Sequence, residues 1–204
     1  MMEFLIVAFA ATLTYLCAAQ RFRVFARLMG VQGLLIFGIA FLGLKEMATV
    51  NLILVVSETL LFKGIVVPFM LFIVIRRTQV FKVHEKALSP FYILILNAVS
   101  LLVSVIVAYT LKNNYIHPVF MTVAMYALLT GLVIIVTHRL IISHLIGFLI
   151  IENAVFLFTI ALGNEMPVLI NIAMLLDVFV GVLIMGFFGL RLKPDTGDLT
   201  QLKD

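Results

Sequence analysis

Residues 140–190 read LIISHLIGFLIIENAVFLFTIALGNEMPVLINIAMLLDVFVGVLIMGFFGL. Two apolar runs flank the turn Gly163-Asn164-Glu165-Met166-Pro167; the first carries Glu152 and the second Asp177. At about 1.5 Å of rise per helical residue, Glu152 lies roughly 16 Å before the turn and Asp177 roughly 15 Å after it. So short a turn makes the two helices antiparallel neighbours. Both acids are then expected at one depth, near the middle of a bilayer core about 30 Å thick. A charge held there costs roughly 2.5–3.5 kcal/mol on insertion scales, so each needs a partner, water or a proton.

The rest of the chain has the same character. Its 204 residues are 64% hydrophobic and only 12% charged, with a mean hydropathy of +1.26. A soluble domain of this size has too little interior to hide so much apolar surface. The fold class expected is an all-α, polytopic membrane protein. The single cysteine, Cys17, lies in an apolar run, which excludes a disulfide framework or a cysteine metal cluster. No glycine-rich phosphate loop or nucleotide fingerprint is present, and the four histidines have no metal-ligand spacing. No metal, cofactor or nucleic acid is therefore expected on this chain.

Hydropathy marks seven spans, about 3–20, 28–44, 48–75, 89–111, 117–137, 140–162 and 167–190. The first lacks a basic leader and a small-residue cleavage pattern, so it is expected to be a retained helix. Lysines and arginines between spans fall on alternate sides, eleven on one and two on the other, with Lys63 inside a span. The positive-inside rule then puts the N-terminus outside and the C-terminus in the cytoplasm. Span 3 is the longest and is expected to tilt, or to bend near Pro68, which lacks the N–H that would continue the hydrogen-bond ladder. It carries Glu58 and Lys63. In an α-helix five residues place these about 140° apart, so they are poor partners within the helix unless Lys63 bends back.

Glu58, Lys63, Glu152 and Asp177 are thus the candidate site: four ionisable groups inside the membrane, able to exchange protons with one another or simply to pair as polar links between helices. His144, about two helical turns on the cytoplasmic side of Glu152, is an accessory candidate because its ordinary pKa suits proton transfer, although a histidine there also marks a membrane edge. Asn97, Asn153 and Asn171 are amides within spans and are expected to bond across helices. Asn171 is also an accessory candidate, through water ordering.

These residues carry a resemblance. Spans 5–7, with Glu152-Asn153-Ala154-Val155-Phe156-Leu157 and Leu175-Leu176-Asp177-Val178-Phe179-Val180-Gly181, resemble the three-helix K-type small membrane subunit of respiratory complex I. Over residues 3–192 the chain is similar to the longer hydrogenase-4 component E family, which adds N-terminal helices and has a span of the form Glu, Lys, Pro. Glu58, Lys63 and Pro68 fit that form. Two departures stand out: the second acid is Asp177 where complex I has Glu, and Asn171 stands where some relatives carry another carboxylate.

The resemblance implies three parts: an N-terminal helical part of four spans (1–115), a K-subunit-like core (116–192) and a polar cytoplasmic tail (193–204). It implies a non-catalytic, multi-pass subunit in a prokaryotic cytoplasmic (inner) membrane. Its partners would be large antiporter-like membrane subunits, and peripheral hydrogenase and iron–sulfur subunits that would hold any iron–sulfur clusters and nickel–iron (NiFe) centre. Glu152 and Asp177, with Glu58 and Lys63, would form part of a mid-membrane proton relay coupled to redox chemistry. The alternatives are a structural adaptor between antiporter-like subunits, or a subunit of a multisubunit cation/proton antiporter or an inorganic-carbon uptake complex.

Overall fold

A computed structural model of the protein describes residues 1–43, 53, 55–78, 89–111 and 116–162, together with 176, 177, 179–181, 184 and 186. The described residues are helical apart from short turns. In chain order the helices are α1 (Met2–Ala18), α2 (Phe22–Gly43), α3, α4 (Pro90–Thr110), α5 (Pro118–Thr137) and α6 (Ile141–Ala161). Helix α3 opens as a π-helix over Ser57–Val66 and continues as an α-helix over Val67–Thr78. Among the described residues, five segments are long and apolar enough to cross a membrane: Phe22–Gly43, Ser57–Arg77, Pro90–Thr110, Pro118–Thr137 and Ile141–Ala161. The apolar helix Met2–Ala18 is shorter.

Helices α4 and α5 each begin with a proline in the first turn, where the absent N–H has no helical partner to lose. These two and α6 start and stop within a residue of the hydropathic expectation. Helix α2 starts six residues earlier than expected. Phe22, Phe25, Ala26 and Met29 are buried while Arg23 and Arg27 face outward. That three-and-four spacing continues the helix through a stretch whose arginines had marked it as a loop.

Glycine sets the closest helix contacts. Helices α5 and α6 share the most extensive interface, and it pivots on Gly131 against Gly147. A Cβ on either would lie 2.8 Å from the other's carbonyl oxygen and 2.6 Å from an isoleucine Cγ1. The hairpin is tied at one end by the His117 N–H, which donates to the Ala161 carbonyl at 2.9 Å. At the opposite end, His138 stacks edge-on against Phe25 of α2, with ring centroids 6.5 Å apart. The α1–α2 turn and the α5–α6 turn, both flanked by arginines, therefore lie at the same end of the bundle.

Helix α1 packs on α2, α4 and α5. Among the described helices, α3 packs backbone against backbone only on α2, and α2 also touches α6. The α2–α3 contact rests on Gly33: a Cβ there would lie 2.6 Å from the Lys63 carbonyl carbon and oxygen and 2.7 Å from the Gly64 nitrogen. One turn away, Gly30 faces the Pro68 ring. Pro68 thus lies in the first turn of the α-helical part of α3, where the backbone leaves the π form. Of the seventh apolar stretch, residues 176, 177, 179–181, 184 and 186 are helical. Gly181 lies against Phe148 and Leu149 of α6, and Gly186 against Met70 of α3.

Gly131→Val is expected to lower stability by about 1–3 kcal/mol, the usual range for overpacking a close-packed site. Reversible unfolding in mixed detergent micelles measures this, and an unchanged midpoint would contradict the reading of the α5–α6 contact.

Candidate functional site

Three of the four ionisable groups expected inside the membrane converge. Glu58 is fully buried, and Lys63 and Glu152 are 5% and 6% exposed. The Lys63 Nζ lies 3.2 Å from Glu58 Oε1 and 3.0 Å from Glu152 Oε1. It also sits 5.1 Å from the centroid of the Phe156 ring, where an ammonium is attracted to the negative face of the π system. Phe156 follows Glu152 by four residues, so one face of α6 supplies both the carboxylate and the ring.

The α-helical expectation that Glu58 and Lys63 point about 140° apart is corrected here. The π-helix Ser57–Val66 contains both residues. Its hydrogen bonds close i→i+5, which stacks residues five apart on successive turns. The acid and the base of one helix therefore become partners, and the lysine still reaches Glu152 on α6. Helices α3 and α6 have no backbone packing against each other, so this link is made by the length of the lysine side chain. A small cavity lies beside it, lined by Met29, Lys63, Val67, Leu149, Glu152 and Asn153, with about 10 Å³ for the centre of a water molecule. That is near the minimum for one water.

The contacts of the triad are close but not aligned as hydrogen bonds. The ammonium, both Glu58 oxygens and Glu152 Oε1 keep unused hydrogen-bonding capacity among the described residues. Fully ionised, the triad carries one excess negative charge, and one proton on either carboxyl makes it neutral. The arrangement can therefore hold a proton at either of two positions on opposite sides of one ammonium.

Asp177 does not join this cluster. It is helical and exposed on the isolated chain. With Gly181 against Leu149, an antiparallel pairing puts Asp177 about level with Glu152. His144 is half-buried, and its Nδ1 donates to the Leu140 carbonyl at 2.9 Å; this fixes the proton on Nδ1 in the neutral ring. Asn171 lies outside the described residues. Cys17 is buried within α1.

The amides behave as interhelical links, and one was missed from sequence. Asn97 of α4 donates to the Tyr126 hydroxyl at 2.7 Å and accepts from Thr130 at 3.2 Å. Tyr126 also pairs with Thr14 of α1 at 2.9 Å. Asn153, next to Glu152, donates to Gln32 Oε1 at 3.5 Å, and Gln32 donates to Thr12 at 3.0 Å. Gln32 is fully buried on α2. The rule that singles out Asn97, Asn153 and Asn171, an amide within an apolar span, covers it equally. Among the described residues, no group of three or more His, Cys, Asp or Glu side chains is placed to hold a metal ion.

No protein-family model, curated protein or solved structure matches this chain.

Lys63→Met would leave two buried acids without their cation and is expected to cost about 3–5 kcal/mol, the usual penalty for breaking a buried ion pair from one side. The triple variant Glu58→Gln, Lys63→Met, Glu152→Gln is expected to regain most of that loss. Chemical unfolding of the three proteins decides; a triple variant as unstable as Lys63→Met would contradict the charge coupling.

Proposed function

We propose that this chain is a non-catalytic membrane subunit that moves protons laterally within a complex-I-like, membrane-bound hydrogenase-type assembly. The observation that carries the reading is the buried Glu58–Lys63–Glu152 triad, in which one ammonium lies within 3.2 Å of two acids from different helices. Buried ionisable groups are costly in an apolar bundle, and where they occur with variable protonation they serve relays.

The relay works by exchange of partners. A proton arriving on Glu152 cancels the charge that holds Lys63 there and leaves the ammonium to Glu58. A proton on Glu58 does the reverse. Charge at one end of the triad thereby biases protonation at the other. Asp177 on the seventh apolar stretch is the next carrier, on the outer side of Glu152, with His144 and Asn171 as accessory groups. The track then continues into large antiporter-like subunits on either side. Redox chemistry, with its iron–sulfur clusters and any nickel–iron centre, belongs to peripheral partner subunits.

In this reading the chain crosses a prokaryotic cytoplasmic membrane seven times, with its N-terminus outside. Two observations favour that topology: the alternation of basic residues along the sequence, and the placement of the arginine-flanked α1–α2 and α5–α6 turns at the same end, through Phe25 and His138. A structural adaptor is the second reading. It is favoured by the same lysine, because Lys63 joins α3 to α6 where their backbones do not meet.

Glu152→Gln separates the two. Its amide is nearly the same size but carries no charge and accepts no proton at neutral pH. The native complex containing this variant is expected to assemble while its redox-driven proton translocation falls at least tenfold, as followed with a pH indicator in liposomes. Undiminished translocation, or failure of assembly alone, would favour the adaptor.

A further inference from the structure

The triad needs Lys63 held between two helices that do not pack on each other, so something else must set the distance. Helix α2 is the described helix that touches both. Two consecutive residues on it make the two contacts. Gly33 lies so close to α3 that a Cβ would meet the Lys63 carbonyl at 2.6 Å. Gln32, fully buried, accepts from Asn153, the residue after Glu152, and is itself fixed by donation to Thr12 on α1.

We propose that Gln32 and Gly33 form a positioning clamp that sets how Lys63 is shared between Glu58 and Glu152. The clamp rests on the triad reading above but makes no use of transport. Gly33 fixes the height and approach of the Lys63 backbone, because the absent side chain lets the two backbones meet. Gln32 fixes the rotation of α6 at Asn153, and therefore the direction of the Glu152 carboxyl. Together they place the ammonium about midway, at 3.2 and 3.0 Å. If α2 withdraws from α3 by a fraction of an ångström, Lys63 moves with its own helix, away from Glu152 and still beside Glu58, five residues earlier in the same π-helix.

The charged groups that reach this site are known from each helix packed around it. Helix α3 supplies Glu58 and Lys63, α6 supplies Glu152, and the seventh apolar stretch supplies Asp177, about level with Glu152 in an antiparallel pairing that sets Gly181 against Leu149. Helix α2 contributes the neutral amide of Gln32. Removing the clamp thus changes geometry without adding or deleting a charge, and any change in titration reports position.

The test is the infrared band of protonated carboxyls, followed against pH in the full chain in lipid nanodiscs, with the Glu152 contribution assigned by its loss in Glu152→Gln. Gln32→Met keeps a similar volume and removes the amide. Gly33→Ala adds the obstructing Cβ. Ser104→Ala is the control: it deletes a buried hydroxyl on α4 that donates to the Ser100 carbonyl of its own helix. The Glu152 titration is expected to move by about one pH unit in Gln32→Met and in Gly33→Ala, as follows when an opposite charge within about 4–6 Å is displaced, and to stay in place in Ser104→Ala. Should Gly33→Ala fail to fold, Gln32→Met alone decides. An unmoved Glu152 titration in the folded clamp variants, or an equal displacement in Ser104→Ala, overturns the clamp. Loss of the relay reading shows separately, as undiminished translocation in Glu152→Gln with the infrared displacement intact.

Discussion

An ammonium buried among apolar side chains stays charged only while acids remain close, and Lys63 has two of them, from different helices, each within 3.2 Å. Much of the local structure follows from that need. The π-helical opening of α3 turns Glu58 toward the lysine five residues later. Phe156, one turn beyond Glu152, offers its ring as a third attractive surface. Gly33 lets α2 approach closely enough to hold the lysine's backbone. A plain α-helix would instead turn Glu58 about 140° away from Lys63. The cost of desolvating three charges is of the kind that natural cores avoid, because apolar replacements of similar shape are often at least as stable. On the function proposed above, its presence serves a change of charge more than stability.

Most of the architecture is legible in hydropathy because the bilayer imposes a length on every span. The starts of α4 and α5 follow from their prolines, and the end of α5 and start of α6 from the arginine-flanked turn near residue 139. The start of α2 is not legible in that way. Arginine at 23 and 27 reads as a loop by charge, whereas the buried phenylalanines at 22 and 25 read as helix by spacing, and packing decides between them. The fold is thus set by periodicity where charge and periodicity disagree, since a long basic side chain can leave the core while its backbone stays helical.

The site is only partly legible. Composition identifies Glu58, Lys63 and Glu152 as groups that need partners, but not which partner each takes. The obstacle is the backbone: α-helical angles separate Glu58 from Lys63, and nothing in the hydropathy of residues 57–66 announces a π-helix. Gln32 was within reach of a simple rule and gains its meaning only from its neighbours, Gly33 in sequence and Asn153 in space. Asp177 shows the opposite case. The hairpin arithmetic puts it level with Glu152, and Gly181 beside Leu149 agrees with that register. Yet its side chain is exposed on the isolated chain, apart from the buried triad.

The two-partner character of Lys63 is the central claim, and removing one partner tests it most directly. In Glu58→Gln the Lys63–Glu152 pair and the π-helix can persist, but the ammonium has a single acid to which it can turn. On the proposed function, proton translocation by the native complex carrying this variant, reconstituted in liposomes, is predicted to fall at least tenfold although the complex is assembled and its redox chemistry is intact. Translocation at the unaltered rate would contradict partner exchange and leave the lysine a static link between α3 and α6.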